Sequence, residues 1–149
     1  INAQGQAAGE FSMLCKAPYN KPLPVIDEDN KEFWESCRRH EMRLQKCLEC
    51  GFVRYYPTPV CHKCGSFKHE SARMGGYGTV YTYSVVYRPP SEAYARDIPY
   101  TYAIVNLDEG PMMPTNVVGI EPEKVRIGMR VEVTYDDVTP EVTLPKMIR

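Results

Sequence analysis

The stretch that decides the fold reads Cys47-Leu48-Glu49-Cys50, then ten residues from Gly51 to Val60, then Cys61-His62-Lys63-Cys64. Two Cys-x-x-Cys pairs, each followed by a glycine (Gly51 and Gly65), read as two metal knuckles. Thiolates spaced in this way grip one ion from adjacent corners of a tetrahedron. The glycine permits the tight turn that aims amide N–H groups at the sulfurs. Four thiolates suit Zn²⁺, and the intervening residues are enough for a hairpin out and back. Cys₄ geometry alone leaves iron open as an alternative. A closed Cys₄ shell leaves no position for water or substrate, so one structural ion per chain is expected.

Disulfides would require an oxidising compartment, and no charged-then-apolar signal is read at the N-terminus. Cys15 and Cys37, outside the knuckles, belong to no motif, which fits a reducing cytoplasm. No apolar run approaches the ~20 residues that span a bilayer, so no membrane partner is expected. The 149-residue chain is 43% hydrophobic and 25% charged, an ordinary globular composition. Residues 1–74 carry 11 Lys and Arg against 9 Asp and Glu, a balance of +2, while residues 75–149 carry 7 against 10, a balance of −3. Neither half is the concentrated basic footprint that a nucleic-acid binder needs.

Around the knuckles the chain divides into three expected parts. Residues 1–26 read as an extended arm with Pro18, Pro22 and Pro24, and Phe11, Met13, Leu14 and Tyr19 offer apolar surface along it. Residues 27–74 hold a helix and the ribbon. The N-cap cluster Asp27-Glu28-Asp29-Asn30 opens a helix over Asp29–Leu44, with Phe33, Trp34, Cys37 and Leu44 on one stripe and a Glu35–Arg39 pair on the other. Leu44–Tyr56 and Val60–Arg73 form the arms of the ribbon, and His62 and His69 are surface residues, since four cysteines fill the shell. Residues 75–149 switch to a period of two. Strands are expected at Thr79–Tyr87, Tyr100–Leu107, Met112–Ile120, Met129–Tyr135 and Val142–Ile148, with Tyr81, Tyr83, Val85 and Tyr87 sharing one face. Five strands without a crossover helix suggest a small antiparallel barrel of the OB type. The proline-containing loop Arg88–Pro99 carries Tyr94 and two solvated arginines, Arg88 and Arg96.

The order of these parts carries a resemblance. Cys47, Cys50, Gly51, Tyr56, Pro57, Cys61, Cys64, Gly65, Gly76, Gly78, Pro99, Tyr100, Leu107 to Gly110 and Ile127 to Val133 together make the chain similar to the DUF35 family of zinc-ribbon/OB-fold proteins, over roughly Asp27 to Tyr135. The resemblance implies a mainly β chain: an N-terminal helix, a rubredoxin-like zinc ribbon held by Cys47, Cys50, Cys61 and Cys64, and a five-stranded OB-fold barrel. It also implies a non-catalytic subunit that pairs with a thiolase-like larger chain, as a hetero-tetramer with two copies of each, and supports CoA-thioester cleavage. Thiolysis of an aromatic acyl-CoA of the benzoylsuccinyl-CoA kind is the expected reaction, with a thiolase-like aldolase partner as the alternative.

The residues agree that the chain is no thiolase by itself. Acyl transfer needs an activated thiolate beside an acid/base partner, and neither Cys15 nor Cys37 stands in such a motif. No catalytic residue is expected here, and no residue names the acyl-CoA site, so CoA or acyl-CoA is expected to bind the complex. From a different class, an OB-fold nucleic-acid binder would use the tyrosines of Thr79–Tyr87 as stacking platforms, against the negative balance of that half.

Overall fold

The computed structural model describes residues 20–149. Phe11, Met13, Leu14, Cys15 and Tyr19 lie outside the described residues, with most of the expected arm.

Asp27 and Asn30 start the helix reciprocally. The Asp27 carboxylate accepts hydrogen bonds from the N–H groups of Asp29 (2.9 Å) and Asn30 (3.0 Å), and the Asn30 side-chain oxygen accepts from the Asp27 N–H at 2.8 Å. This is a capping box, and it satisfies donors that a helix start leaves orphaned. Helix α1 (Lys31–Arg38) follows and buries Phe33, Trp34 and Cys37. The apolar spacing predicts a helix as far as Leu44; it stops at Arg38. His40 adopts φ +59°, its N–H reaches the Cys37 carbonyl at 2.9 Å, and the Glu41 N–H reaches the Ser36 carbonyl at 2.9 Å. That pair of bonds is a Schellman stop, made with histidine in the left-handed position usually held by glycine. Leu44 still enters the core, but from a strand. Arg39 lies 3.9 Å from Glu41 in place of the expected Glu35.

Strands β1 (Arg43–Cys47), β2 (Val53–Arg54) and β3 (His69–Arg73) form an antiparallel sheet in the order β2-β1-β3. Register pairs Lys46 with Val53 and Cys47 with His69, so the ribbon's turns gather at one end of the sheet.

The barrel comprises β4 (Tyr77–Val86), β5 (Tyr100–Leu107), β6 (Met112–Val118), β7 (Arg130–Asp137) and β8 (Thr143–Ile148), closed in the order β4-β5-β6-β8-β7. All its pairs are antiparallel except β6 with β8, where Val117 faces Met147 in parallel. Among the described residues the fold is therefore mainly β, with one α-helix, a ribbon and a five-stranded OB barrel, as the sequence implies.

One face assignment needs correction. Strict alternation puts Tyr81 and Tyr83 on the same side of β4, but a β-bulge lies between Val80 and Thr82 in the pairing with β5. The extra residue shifts the period. Val80 points into the barrel before the bulge, Tyr81 and Thr82 are both exposed, and Tyr83 packs against the core after it. Gly78 leaves room for barrel closure: a Cβ there would meet Val105 Cγ1 at 2.6 Å and the Asn106 carbonyl oxygen at 2.9 Å.

One buried cluster runs from Phe33, Trp34 and Cys37 through Met42, Leu44 and Met74 to Val80, Val105, Met113 and Met147. Each large apolar side chain so buried contributes roughly 1.5–3 kcal/mol. Ribbon and barrel are joined by this packing as well as by the chain.

Candidate metal centre

The end of the ribbon sheet brings Cys47, Cys50, Cys61 and Cys64 together, with their sulfurs all within 4.8 Å of one another. Cys47 Sγ lies 3.5 Å from Cys64 Sγ, and Cys50 Sγ lies 3.7 Å from Cys61 Sγ. Tetrahedral zinc with its usual Zn–S bonds would separate sulfurs by about 3.8 Å. The donor set and its spacing fit such an ion.

The two knuckles have the same local construction. Gly51 N–H donates to the Cys47 carbonyl (3.0 Å) and Cys47 N–H to the Phe52 carbonyl (2.9 Å); Gly65 N–H donates to the Cys61 carbonyl (2.8 Å) and Cys61 N–H to the Ser66 carbonyl (2.9 Å). Gly51 at φ +76° and Gly65 at φ +79° have open space around them, so conformation rather than crowding calls for glycine. In the first knuckle the N–H groups of Glu49 and Cys50 aim at Cys47 Sγ from 3.4 and 3.5 Å.

These donors favour a thiolate. The N–H of Cys50, with that of Glu49, draws the Cys47 thiol down to about 6 despite burial. At Cys64 the Ser66 N–H also pulls downward, but the neighbouring sulfurs outweigh it and push that thiol up to about 12. Four negative sulfurs at this spacing repel one another; a divalent cation removes that penalty.

The other candidates stay apart. The ring of His62 packs edge-on to Phe52 at 6.1 Å, and His69 Nε2 lies 3.4 Å from Gln45 Nε2; neither joins the sulfur cluster. Cys37 is fully buried on the core side of α1, and burial pushes its thiol up to about 12, so it presents no thiolate at neutral pH. Arg88 and Arg96 are exposed. Tyr94 and Tyr100 pair with each other at 6.1 Å, and Lys21 lies over Tyr94 while pairing with Asp97 at 2.6 Å, so the Arg88–Pro99 loop is tied down within the chain. One shallow cleft between α1 and the ribbon, lined by Phe33, Arg43, Gln45 and Pro57, has a cavity volume of about 10 Å³, room for little more than a water molecule. Small-molecule pockets run from about 300 to 1,000 Å³, so an acyl-CoA does not fit there. Among the described residues no helix is long and apolar enough to cross a membrane.

Residues 34–70 match the family model described as the ChsH2 rubredoxin-like zinc ribbon domain, and residues 72–136 match that of the ChsH2 C-terminal OB-fold domain. A DUF35 domain-containing scaffold protein of Pyrococcus furiosus is 33% identical over 114 residues, covering 75% of this chain and 78% of the relative. The chain belongs to the DUF35 family. Another relative, a probable enoyl-CoA hydratase alpha subunit of Thermomonospora curvata, is 39% identical over 125 residues, which are 84% of this DUF35 chain but only 39% of that subunit. The chain thus spans about two fifths of that relative's length. Among solved structures, a chain of the Ltp2-ChsH2(DUF35) aldolase superposes with a TM-score of 0.76 at 38% identity, covering 85% of this chain and 98% of that one.

What sequence reading missed is the distribution of charge over the barrel. The signal was present as three strand segments without an Asp, Glu, Lys or Arg, but which side chains face outward depends on the bulge.

Proposed function

We propose that this chain is the non-catalytic, zinc-bearing subunit of an acyl-CoA enzyme. Cys47, Cys50, Cys61 and Cys64 hold one structural Zn²⁺, and a larger thiolase-type chain supplies the reacting groups and most of the CoA site, with two copies of each chain in the complex. The observation that carries this reading is the match to nearly the whole of a DUF35 chain, 98% of it, in a structure named as an aldolase. The hydratase alpha subunit, of which this chain covers 39%, adds a second relative named for CoA-thioester chemistry. The chain's own residues supply fold and surface. Its one described cysteine outside the knuckles is buried and protonated, and the cleft on α1 is too small for the substrate.

Two carbon–carbon cleavages are in view. Thiolysis of an aromatic 3-oxoacyl-CoA, of the benzoylsuccinyl-CoA kind, is implied by the resemblance to thiolase-associated family members. Aldol cleavage is favoured by the name of the solved relative. The two differ in stoichiometry: in thiolysis the sulfur of free CoA forms a new thioester as the carbon–carbon bond breaks, whereas aldol cleavage releases a carbonyl compound and consumes no CoA. Native co-purification, identification of the larger chain and assay of the complex with and without free CoA test the proposal. A larger acyl-CoA enzyme in stable association supports it, and a CoA requirement selects thiolysis. Isolation of the chain with no such partner overturns it.

A further inference from the structure

The charged residues of this molecule avoid one side of the barrel. The chain is 25% charged, yet none of the residues of β4, β5 or β6 is charged. Neighbouring β7, by contrast, carries Arg130, Glu132, Asp136 and Asp137. Register brings the outward residues of the three uncharged strands side by side: Thr82 faces Ile104, which faces Pro114, and Asn106 faces Met112. The large side chains of this face stand in solvent, with Tyr81 55%, Tyr102 48% and Met112 45% exposed, and Tyr77, 49% exposed, marks its border, where it pairs with Glu132 of β7. Tyr81 is there because of the bulge, which adds an aromatic side chain to the outside while Val80 and Tyr83 stay with the core.

We infer that the outer face of β4, β5 and β6 is the surface on which the larger subunit docks, through an uncharged patch of that subunit able to accept or donate hydrogen bonds to tyrosine hydroxyls. The inference rests on the subunit role proposed above and adds the place of contact. Three observations select this occupant. A polyanion is disfavoured, because these strands carry no cation of their own and Arg130, which reaches Thr79 from β7 at 3.3 Å, is paired with Asp108. Contact with the middle of this face is through side chains, because β5 is hydrogen-bonded to β4 on one side and to β6 on the other along its length and offers no edge to an added strand. The area suffices: each tyrosine offers on the order of 100 Å² at about half exposure. Those tyrosines with Met112, Ile104 and the small residues between them approach the ~800 Å² per partner of a standard interface. Tyrosine-rich patches depleted of charge are characteristic of the centre of such interfaces.

The test uses the co-purified complex and the full-length chain. Hydroxyl-radical footprinting reads side-chain exposure of Tyr81 and Tyr102 with and without the larger subunit, and Tyr102→Glu and Tyr81→Lys are compared with wild type for binding. Both positions are solvent-exposed in the free chain, so circular dichroism and metal content should be unchanged in the variants. The expected result is at least fivefold lower oxidation of both tyrosines in the complex, and at least a hundredfold weaker binding by either variant. If the complex forms while both tyrosines oxidise at the free rate, or the variants bind like wild type, the docking surface is wrong and the subunit role stands. If the isolated chain dimerises and the dimer shields these tyrosines, a second copy is the occupant and the inference fails. If no larger chain associates at all, the subunit role itself fails, and the docking surface with it.

Discussion

His40 lies flat against Tyr135, with ring centroids 4.9 Å apart and planes 11° from parallel. The contact joins the end of α1 to strand β7, and it explains why a histidine is kept where the backbone turns left-handed. Its Nε2 also reaches both carboxylate oxygens of Asp137, at 3.0 and 3.2 Å. Substitution separates the two contributions. His40→Gly loses the stack, about 0.5–1.5 kcal/mol, but removes a left-handed backbone cost of roughly 1 kcal/mol. His40→Ala loses the stack and keeps the strain. Both variants also lose the Asp137 contact, so urea denaturation at neutral pH should place Gly at or below wild type and Ala about 1 kcal/mol below Gly; an Ala variant as stable as Gly would contradict the geometry.

The same corner carries a pH dependence. The Thr143 hydroxyl, and after it His40, hold the Asp137 carboxyl below the usual carboxylate range. A depressed folded value means stability that is present above the unfolded pKa of about 4 and lost as pH falls through the folded value. Asp137 is 59% exposed at its side chain, so solvent screening limits the contribution to at most about 1 kcal/mol. Melting curves of wild type and Asp137→Asn should differ at about pH 6 and converge at about pH 2. A difference that grows towards acid would have the wrong sign.

Tyr56 closes the other end of the helix. Its hydroxyl accepts from Trp34 Nε1 at 2.8 Å and from Asn30 Nδ2 at 3.1 Å, and both donors belong to buried residues. Tyr56→Phe preserves ring packing against Phe33, strands Trp34 Nε1 and leaves Asn30 Nδ2 only its bond to the Val25 carbonyl, for an expected loss of about 1–3 kcal/mol. Chemical denaturation of the two proteins checks this, and a neutral substitution would mean that water replaces the hydroxyl.

Much of this was legible in the sequence, and the failures have physical reasons. The knuckles, the capping cluster Asp27–Asn30 and the five barrel strands follow from local chemistry: glycine after Cys-x-x-Cys, acidic and amide side chains before an apolar stripe, and alternation between turn residues. The helix end was not legible, because its stop residue is His40, whose left-handed turn is supported by a tyrosine far away in sequence. Nor was the outward face of β4, because the bulge at Tyr81 comes from pairing with β5. The four sulfurs were assigned from spacing, whereas the uncharged side of the barrel emerged only once register put three strands together.

The metal should be essential to the ribbon. Zinc at a site of this type contributes on the order of 10 kcal/mol to folding, more than a small sheet can replace. Elemental analysis is expected to give one zinc per chain, and Cys50→Ser or Cys61→Ser should lower that content and expose Trp34, the single tryptophan, whose ring packs within the core shared by α1, ribbon and barrel. A red-shift of tryptophan emission on chelation reads the same event. Metal-free protein with native emission would show that the sulfur cluster is not what holds the ribbon.

The most direct test of the functional claim is turnover by the purified, zinc-loaded chain, measured alone and after addition of the larger chain isolated with it, using that complex's acyl-CoA substrate. The expected result is no cleavage by this chain alone and cleavage by the mixture at a rate well above that of the larger chain alone. Cleavage by the purified chain without its partner would contradict the assignment of a non-catalytic subunit.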